Sequence, residues 1–205
     1  MTDIKHLTNK VGIVPYRWRA VEGGGREMEF LIHLPKHDPA KGGDPETMSW
    51  GIARGTVKYR NDAGQWVDLR DGQQEMRGDT LACIPLGHIK NHIDCLVEEA
   101  KEELGLSRAD LQAKGPMQDH RLKSYPSSKG AYDIHFYSAE LDPKLDISTL
   151  RPQHSDALAW KTLKELQQMT QETDPSRQFK AGYIPIVEAI AEEVAQKKAM
   201  QRSVG

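Results

Sequence analysis

The chain has 205 residues, 28% of them charged, and a formal net charge of −2. That length suits one domain with elaborations, and the near-balanced charge excludes a global basic field drawing the protein onto nucleic acid or membrane. No run approaches the roughly 18 apolar residues of a membrane span, and Met1-Thr2-Asp3-Ile4-Lys5-His6 does not open a signal peptide, so the expectation is a cytoplasmic protein with neither membrane nor nucleic-acid polymer as partner. Cys83 and Cys95 lie in apolar stretches without metal-ligand spacing and read as reduced core residues.

Val11 to Arg17 reads as a first strand, Glu22 to Arg26 as a turn and Met28 to Leu34 as the returning strand. The triplet Gly23-Gly24-Gly25 lacks the Lys-Ser/Thr and the helix of a phosphate loop, and so reads as a hairpin turn. Pro35 to Thr47 is rich in Pro, Gly, Asp and Lys and reads as a loop. Thr56 to Arg60 and Gln65 to Leu69 flank Asn61-Asp62-Ala63-Gly64, a hairpin signal, and Leu81 to Leu86 brings the chain back toward the core.

The next stretch organises the rest. Ile93, Leu96, Val97, Ala100 and Leu104 recur at helical spacing, and Gly105 stands where a left-handed cap ends the helix. The other face carries Glu98, Glu99, Glu102 and Glu103, with Lys101 as the one nearby cation in sequence. Like charges at i, i+4 each cost a few tenths of a kcal/mol. A divalent ion with a preference for hard oxygen ligands offsets such crowding; a solvated acidic face is the other reading, and these residues leave both open. Met117 to Lys123 and Ala131 to Ala139 read as antiparallel strands joined by a loop over Ser124 to Gly130. Along the second, Ile134 and Phe136 alternate with His135 and Tyr137, which places one pair in the core and the other outward, toward a cleft. Ile186, Val187, Ile190 and Val194 give a C-terminal helix over about 184–198.

Glu99-Ala100-Lys101-Glu102-Glu103-Leu104-Gly105-Leu106 resembles the second half of the Nudix box, G-x5-E-x7-R-E-U-x-E-E-x-G-U with U aliphatic. Trp50 to Val57 resembles the segment W-x-x-P-x-G-x-V that opens the box, with Ala53 in place of the proline and Gly55 as the first glycine. His154 to Leu166 resembles the late segment in which an acidic stretch precedes Trp and a short helix. The resemblance runs from about Val11 to about Leu166. It implies an α+β protein, a Nudix-like α/β/α sandwich with a mixed sheet, formed as a single domain over 1–205 with an inserted β-hairpin arm.

The resemblance also implies the chemistry: hydrolysis of a pyrophosphate bond in a small nucleoside diphosphate derivative, with Mg²⁺ or Mn²⁺ as cofactor. Glu99 and Glu103 are then the leading metal ligands, with the Gly55 carbonyl beside them. Glu102 is a further ligand or the base that positions water, so Glu99 and Glu102 are the catalytic pair. Arg54 meets a phosphate through its planar fork. His33, His135 and Tyr137 are the candidate substrate-facing residues, although His33 reads first as an ordinary strand residue. Glu140 and Asp156 lie where the family sometimes supplies another acid.

Two box positions depart from the pattern. The arginine before the first glutamate is Glu98 here, and the early glutamate is missing: Gly55 plus six is Asn61. In the family these two residues pair structurally. Gly55 to Glu99 also spans more than the family's fifteen positions, implying an insertion of about 29 residues over roughly 58–88. A register on Gly87 shortens the loop instead, but only Gly55 has the Trp and a basic residue upstream. The losses fit either a coordinated replacement, with the insert bracing the helix, or a non-catalytic Nudix-like module that binds nucleotide or protein. A homodimer is hypothesised from the edge that a hairpin carrying Trp66 exposes.

Overall fold

The computed structural model describes residues 10–37, 48–61, 63–68, 90–120, 125–127, 130–132 and 134–203. Cys83, Gly87, the return over Leu81 to Leu86 and nearly all of the Pro35 to Thr47 loop lie outside them. A mixed sheet forms the centre. Strands β1 (Lys10–Ala20) and β2 (Arg26–Pro35) make the expected hairpin, registered Tyr16 to Phe30 and Ala20 to Arg26. The first half of β1 pairs instead with β3 (Ala53–Thr56), Val11 opposite Gly55, so two antiparallel partners share one edge of β1. Along its other edge runs β9 (Ile134–Glu140), parallel to it, and β6 (Gln118–Asp119) closes that side. The path is β10-β2-β1-β9-β6, with β10 at Ser155–Thr162.

Alternation along these strands sends side chains to two cores. Val11, Ile13, Leu31, Tyr137 and Ala139 pack against Cys95, Leu96, Ala100 and Leu104 of the helix α1 (His92–Glu99) and its continuation. Val14, Tyr16, Phe30, Ile32 and Phe136 pack on the other face against Leu166 of α3 (Leu163–Met169) and Ile186, Val187, Ile190 and Val194 of α4 (Ile184–Ser203). The short helix α2 (Arg108–Gln112) adds Leu111 to the first core. The result is the expected sandwich of helices on both faces of a mixed sheet. Cys95 is buried and free, as expected.

Both faces being covered corrects one expectation. Phe136 and Tyr137 are 1% and 8% exposed, so neither side of β9 opens to a cleft at this point, and Tyr137 is core beneath α1. The expected loop over Ser124 to Gly130 also differs: Tyr125–Ser127 (β7) pairs with Gly130–Tyr132 (β8) as a hairpin of its own. Where the hairpin arm is expected, β4 (Lys58–Arg60) and β5 (Trp66–Asp68) pair, and Asn61 closes their turn by accepting from Gln65 N–H and Gly64 N–H. Trp66 is 46% exposed there. The C-terminal helix runs one turn past its expected end, to Ser203.

Candidate active site

The site forms where α1 ends. Asn91 caps its start, accepting from Ile93 N–H at 2.8 Å. After Glu99 the helix widens into a π turn over Ala100–Leu104, and Gly105 ends it in the left-handed region, φ 72°. Leu106 N–H returns to Ala100 O at 3.1 Å, the long closing bond of a glycine-capped end. A π turn leaves main-chain carbonyls without helical partners, and such turns recur at functional sites. Here the entry to β10 takes them up. Gln153 and His154 N–H both donate to Glu102 O, at 2.7 and 2.9 Å, and the Ser155 hydroxyl donates to Glu103 O at 2.5 Å. The backbone of the two glutamates is therefore held by a strand 50 residues downstream.

The Glu103 and Glu99 side chains point at β3. The Glu103 carboxylate accepts from Arg54 N–H at 2.9 Å. The Glu99 carboxylate lies flat against Gly55: a Cβ there would stand 2.0 Å from Glu99 Cδ and Oε1, so only glycine fits this contact. Glu102 stands 3.5 Å from His154 Nδ1. His33 approaches from β2, its Nε2 3.6 Å from Glu103 Oε2. Its Nδ1 donates to Ser155 Oγ at 2.8 Å, since the one Ser155 hydrogen is already given to Glu103 O.

Burial sets the charge states. It pushes the Glu103 carboxyl up to about 7, against the pull of the Arg54 N–H and guanidinium. It also lowers the His33 imidazole to about 4, with the charges of Lys180 and Arg54 adding to the effect. His33 is thus neutral at pH 7, and its contact with Glu103 is not an ion pair.

The expected residues sort as follows. Glu99, Glu103, Gly55, Arg54 and His33 converge, and Glu102 adjoins them. His135 does not: its ring meets His92 edge-on at 5.1 Å, at the opposite end of α1 from Glu103. Tyr137 is core, as above. Glu140 contacts Tyr16 and Lys198 on the α4 side, and Asp156 is exposed. Two residues that the sequence reading passed over belong here. Ser155 fixes both His33 and the Glu103 backbone, and Lys180 places a second cation beside Glu103 and Arg54.

Glu98 is bracketed by Lys58 of β4, at 3.1 Å, and by Lys90 just before α1. These contacts tie β4 to α1. Reversing this charge should therefore harm: Glu98→Arg puts a third cation between two lysines and is expected to lower stability by about 1 kcal/mol. The midpoint of urea unfolding reads this directly.

No family sequence model and no curated protein sequence matches the chain. Solved structures do. A mutT/nudix family protein from Listeria innocua superposes with a TM-score of 0.53 at 10% identity, covering 95% of this chain and 98% of that one. The fold is the Nudix fold. A C. elegans Ap4A hydrolase binary complex, at 14% identity, covers 93% of this chain and 99% of its own with a TM-score of 0.50. The NUDIX domain of Shewanella oneidensis NrtR complexed with ADP ribose, at 11% identity, covers 93% and 90% with a TM-score of 0.50.

A Nudix fold raises the question of a metal. Among the described residues, no three His, Cys, Asp or Glu side chains stand close enough to form a ready-made cage. The donor chemistry nevertheless suits a hard divalent ion: Glu99 and Glu103 both reach adjacent β3 residues, and Glu103 is a half-buried carboxyl whose anion gains from a nearby cation.

Proposed function

We propose that the protein hydrolyses a pyrophosphate bond in a small nucleoside diphosphate derivative, with Mg²⁺ or Mn²⁺ held by Glu99, Glu103, Glu102 and the Gly55 carbonyl. The observation that carries this is the convergence of the Glu99 and Glu103 carboxylates on Gly55 and Arg54, in a Nudix fold. It also supports the box register on Gly55, with the insertion between Gly55 and α1. The whole chain is then one Nudix-like domain. A bound divalent ion would offset phosphate charge and lower the pKa of water.

The chain's own groups do the rest. Arg54, exposed beside the carboxylates, offers a planar fork to phosphate oxygens. Glu102, its side chain 36% exposed against 19% for Glu103, is assigned to orienting the attacking water and taking its proton. Ser155, Gln153 and His154 keep Glu102 and Glu103 in place through their carbonyls. His33 remains neutral and packs against Glu103, so it orients that carboxylate rather than carrying a proton. His135 and Tyr137 drop out of the substrate set on their positions.

The test is phosphate or monophosphate release from a panel of nucleoside diphosphate derivatives, with Mg²⁺, with Mn²⁺ and with chelator. Metal-dependent turnover of any member is the expected result. A second reading, a non-catalytic nucleotide-binding module, is favoured by the lack of a ready-made three-ligand cage among the described residues. Silence across the panel from protein that still binds nucleotide establishes that reading instead. The homodimer remains part of the proposal through the exposed Trp66 of the arm, and a monomeric mass by light scattering contradicts it.

A further inference from the structure

The segment between α3 and α4 is fastened to Trp50. Trp50 N–H donates to Gln178 O at 2.8 Å, Lys180 N–H donates to Trp50 O at 3.0 Å, and Trp50 Nε1 donates to Ser176 O at 2.8 Å. Phe179 between them is fully buried. Lys180 is thereby fixed beside Gly51, which bridges to His33, and its stem passes 3.9 Å from where a Gly51 Cβ would stand. Its side chain keeps contact with solvent.

Arg54 comes from β3. Its guanidinium carbon lies over the Tyr183 ring, 5.6 Å from the ring centre, and the residue is exposed. Its main-chain N–H is already given to Glu103. Partial loss of hydration and the Arg54 charge hold the Lys180 ammonium below the usual lysine range, with Glu103 pulling the other way. The same Tyr183 ring passes 3.1 Å from where a Gly51 Cβ would stand, next to the Lys180 stem, so the two cations, from distant parts of the chain, border one patch at the Glu103 end of the acidic cluster.

Resting on the function proposed above, we propose that Lys180 and Arg54 together hold a terminal phosphate. The substrate is then a nucleoside di- or triphosphate with a free end, rather than a diphosphate capped by a sugar or a second nucleoside. A terminal phosphate carries close to two negative charges near neutral pH and three acceptor oxygens. That matches a guanidinium fork plus one ammonium. A capped phosphate has one charge and two free oxygens, and leaves one of the two cations unmatched.

The experiment is calorimetric binding of ADP and of ADP-ribose in Mg²⁺ to wild type, Lys180→Met and Lys180→Arg. Wild type should bind ADP more tightly. Lys180→Met should weaken ADP about tenfold and ADP-ribose less than about threefold, and Lys180→Arg should recover most of the loss. Equal losses on both ligands, or none on ADP, overturn the terminal-phosphate assignment while leaving the proposed hydrolase standing. Wild type that binds neither of these nor any other member of the nucleoside diphosphate panel defeats the proposed function, and this assignment falls with it. Unfolding midpoints of the variants exclude a folding defect, since the Lys180 main-chain bond to Trp50 is kept in all three.

Discussion

Glu103→Gln is expected to remove metal-dependent turnover, by about a thousandfold or more, and at the same time to stabilise the metal-free protein above pH 7. The variant keeps an amide oxygen to accept from Arg54 N–H, so the local hydrogen bond survives. What it loses is a buried charge. The Glu103 carboxyl sits at about 7 in the folded protein against an ordinary 4.5. Between those values the folded state holds a proton that the unfolded chain has released. Its contribution to stability therefore declines as pH rises through that window, and the full penalty is present above it.

His33 works in the opposite sense. Its folded value of about 4 against 6.5 means that stability is lost as pH falls from 6.5 to 4. The two windows overlap, so they offset each other in the wild type between pH 4.5 and 6.5. In Glu103→Gln only the His33 part remains, and stability should rise with pH up to 6.5 and then level off. At pH 8, in chelator, the variant should be the more stable by on the order of 1–3 kcal/mol, read by urea unfolding. A less stable variant at that pH would mean that Glu103 is compensated in the folded protein, contrary to its surroundings here.

Gly55→Ala should separate activity from stability in another way. The added methyl would meet Glu99 Cδ and Oε1 at 2.0 Å and Cγ at 2.2 Å, so the carboxylate must swing away. A flexible side chain moves at little cost, and alanine suits a strand at least as well as glycine. Stability should change by less than about 1 kcal/mol. Turnover should fall about a hundredfold, because Glu99 leaves its place against Gly55, next to the residue whose N–H holds Glu103. Kinetics and unfolding on the same preparation decide it: undiminished kcat/KM would show that the Glu99 position is not used.

The sheet and the α1 face were legible because they rest on local periodicity. Alternation in Val11 to Arg17 and Met28 to Leu34, the helical spacing of Leu96, Ala100 and Leu104, and the glycine after them each report a local geometry. The acidic trio and Gly55 were legible through resemblance, and the structure brings Glu99 and Gly55 into contact. His135 and Tyr137 were misplaced because alternation tells which residues share a face, not whether the opposite face is also covered. The π turn left no mark, since one widened turn preserves the apolar stripe. Lys180 was invisible for a different reason. It is one lysine in a polar segment, and only the bonds to Trp50, far away in sequence, carry it to Arg54. The Glu98 brace likewise depends on Lys58 of β4 and Lys90 just before α1, a pairing that no local pattern encodes.

The most direct test of the central claim is Mn²⁺ binding followed by electron paramagnetic resonance, on wild type, Glu103→Gln and Glu98→Gln. Wild type should bind the ion, Glu103→Gln should lose that binding, and Glu98→Gln should retain it, because Glu98 is turned to its lysines and away from the site. Mn²⁺ binding that is the same in Glu103→Gln as in wild type would contradict the assignment of the Glu99–Glu103 cluster as the metal site.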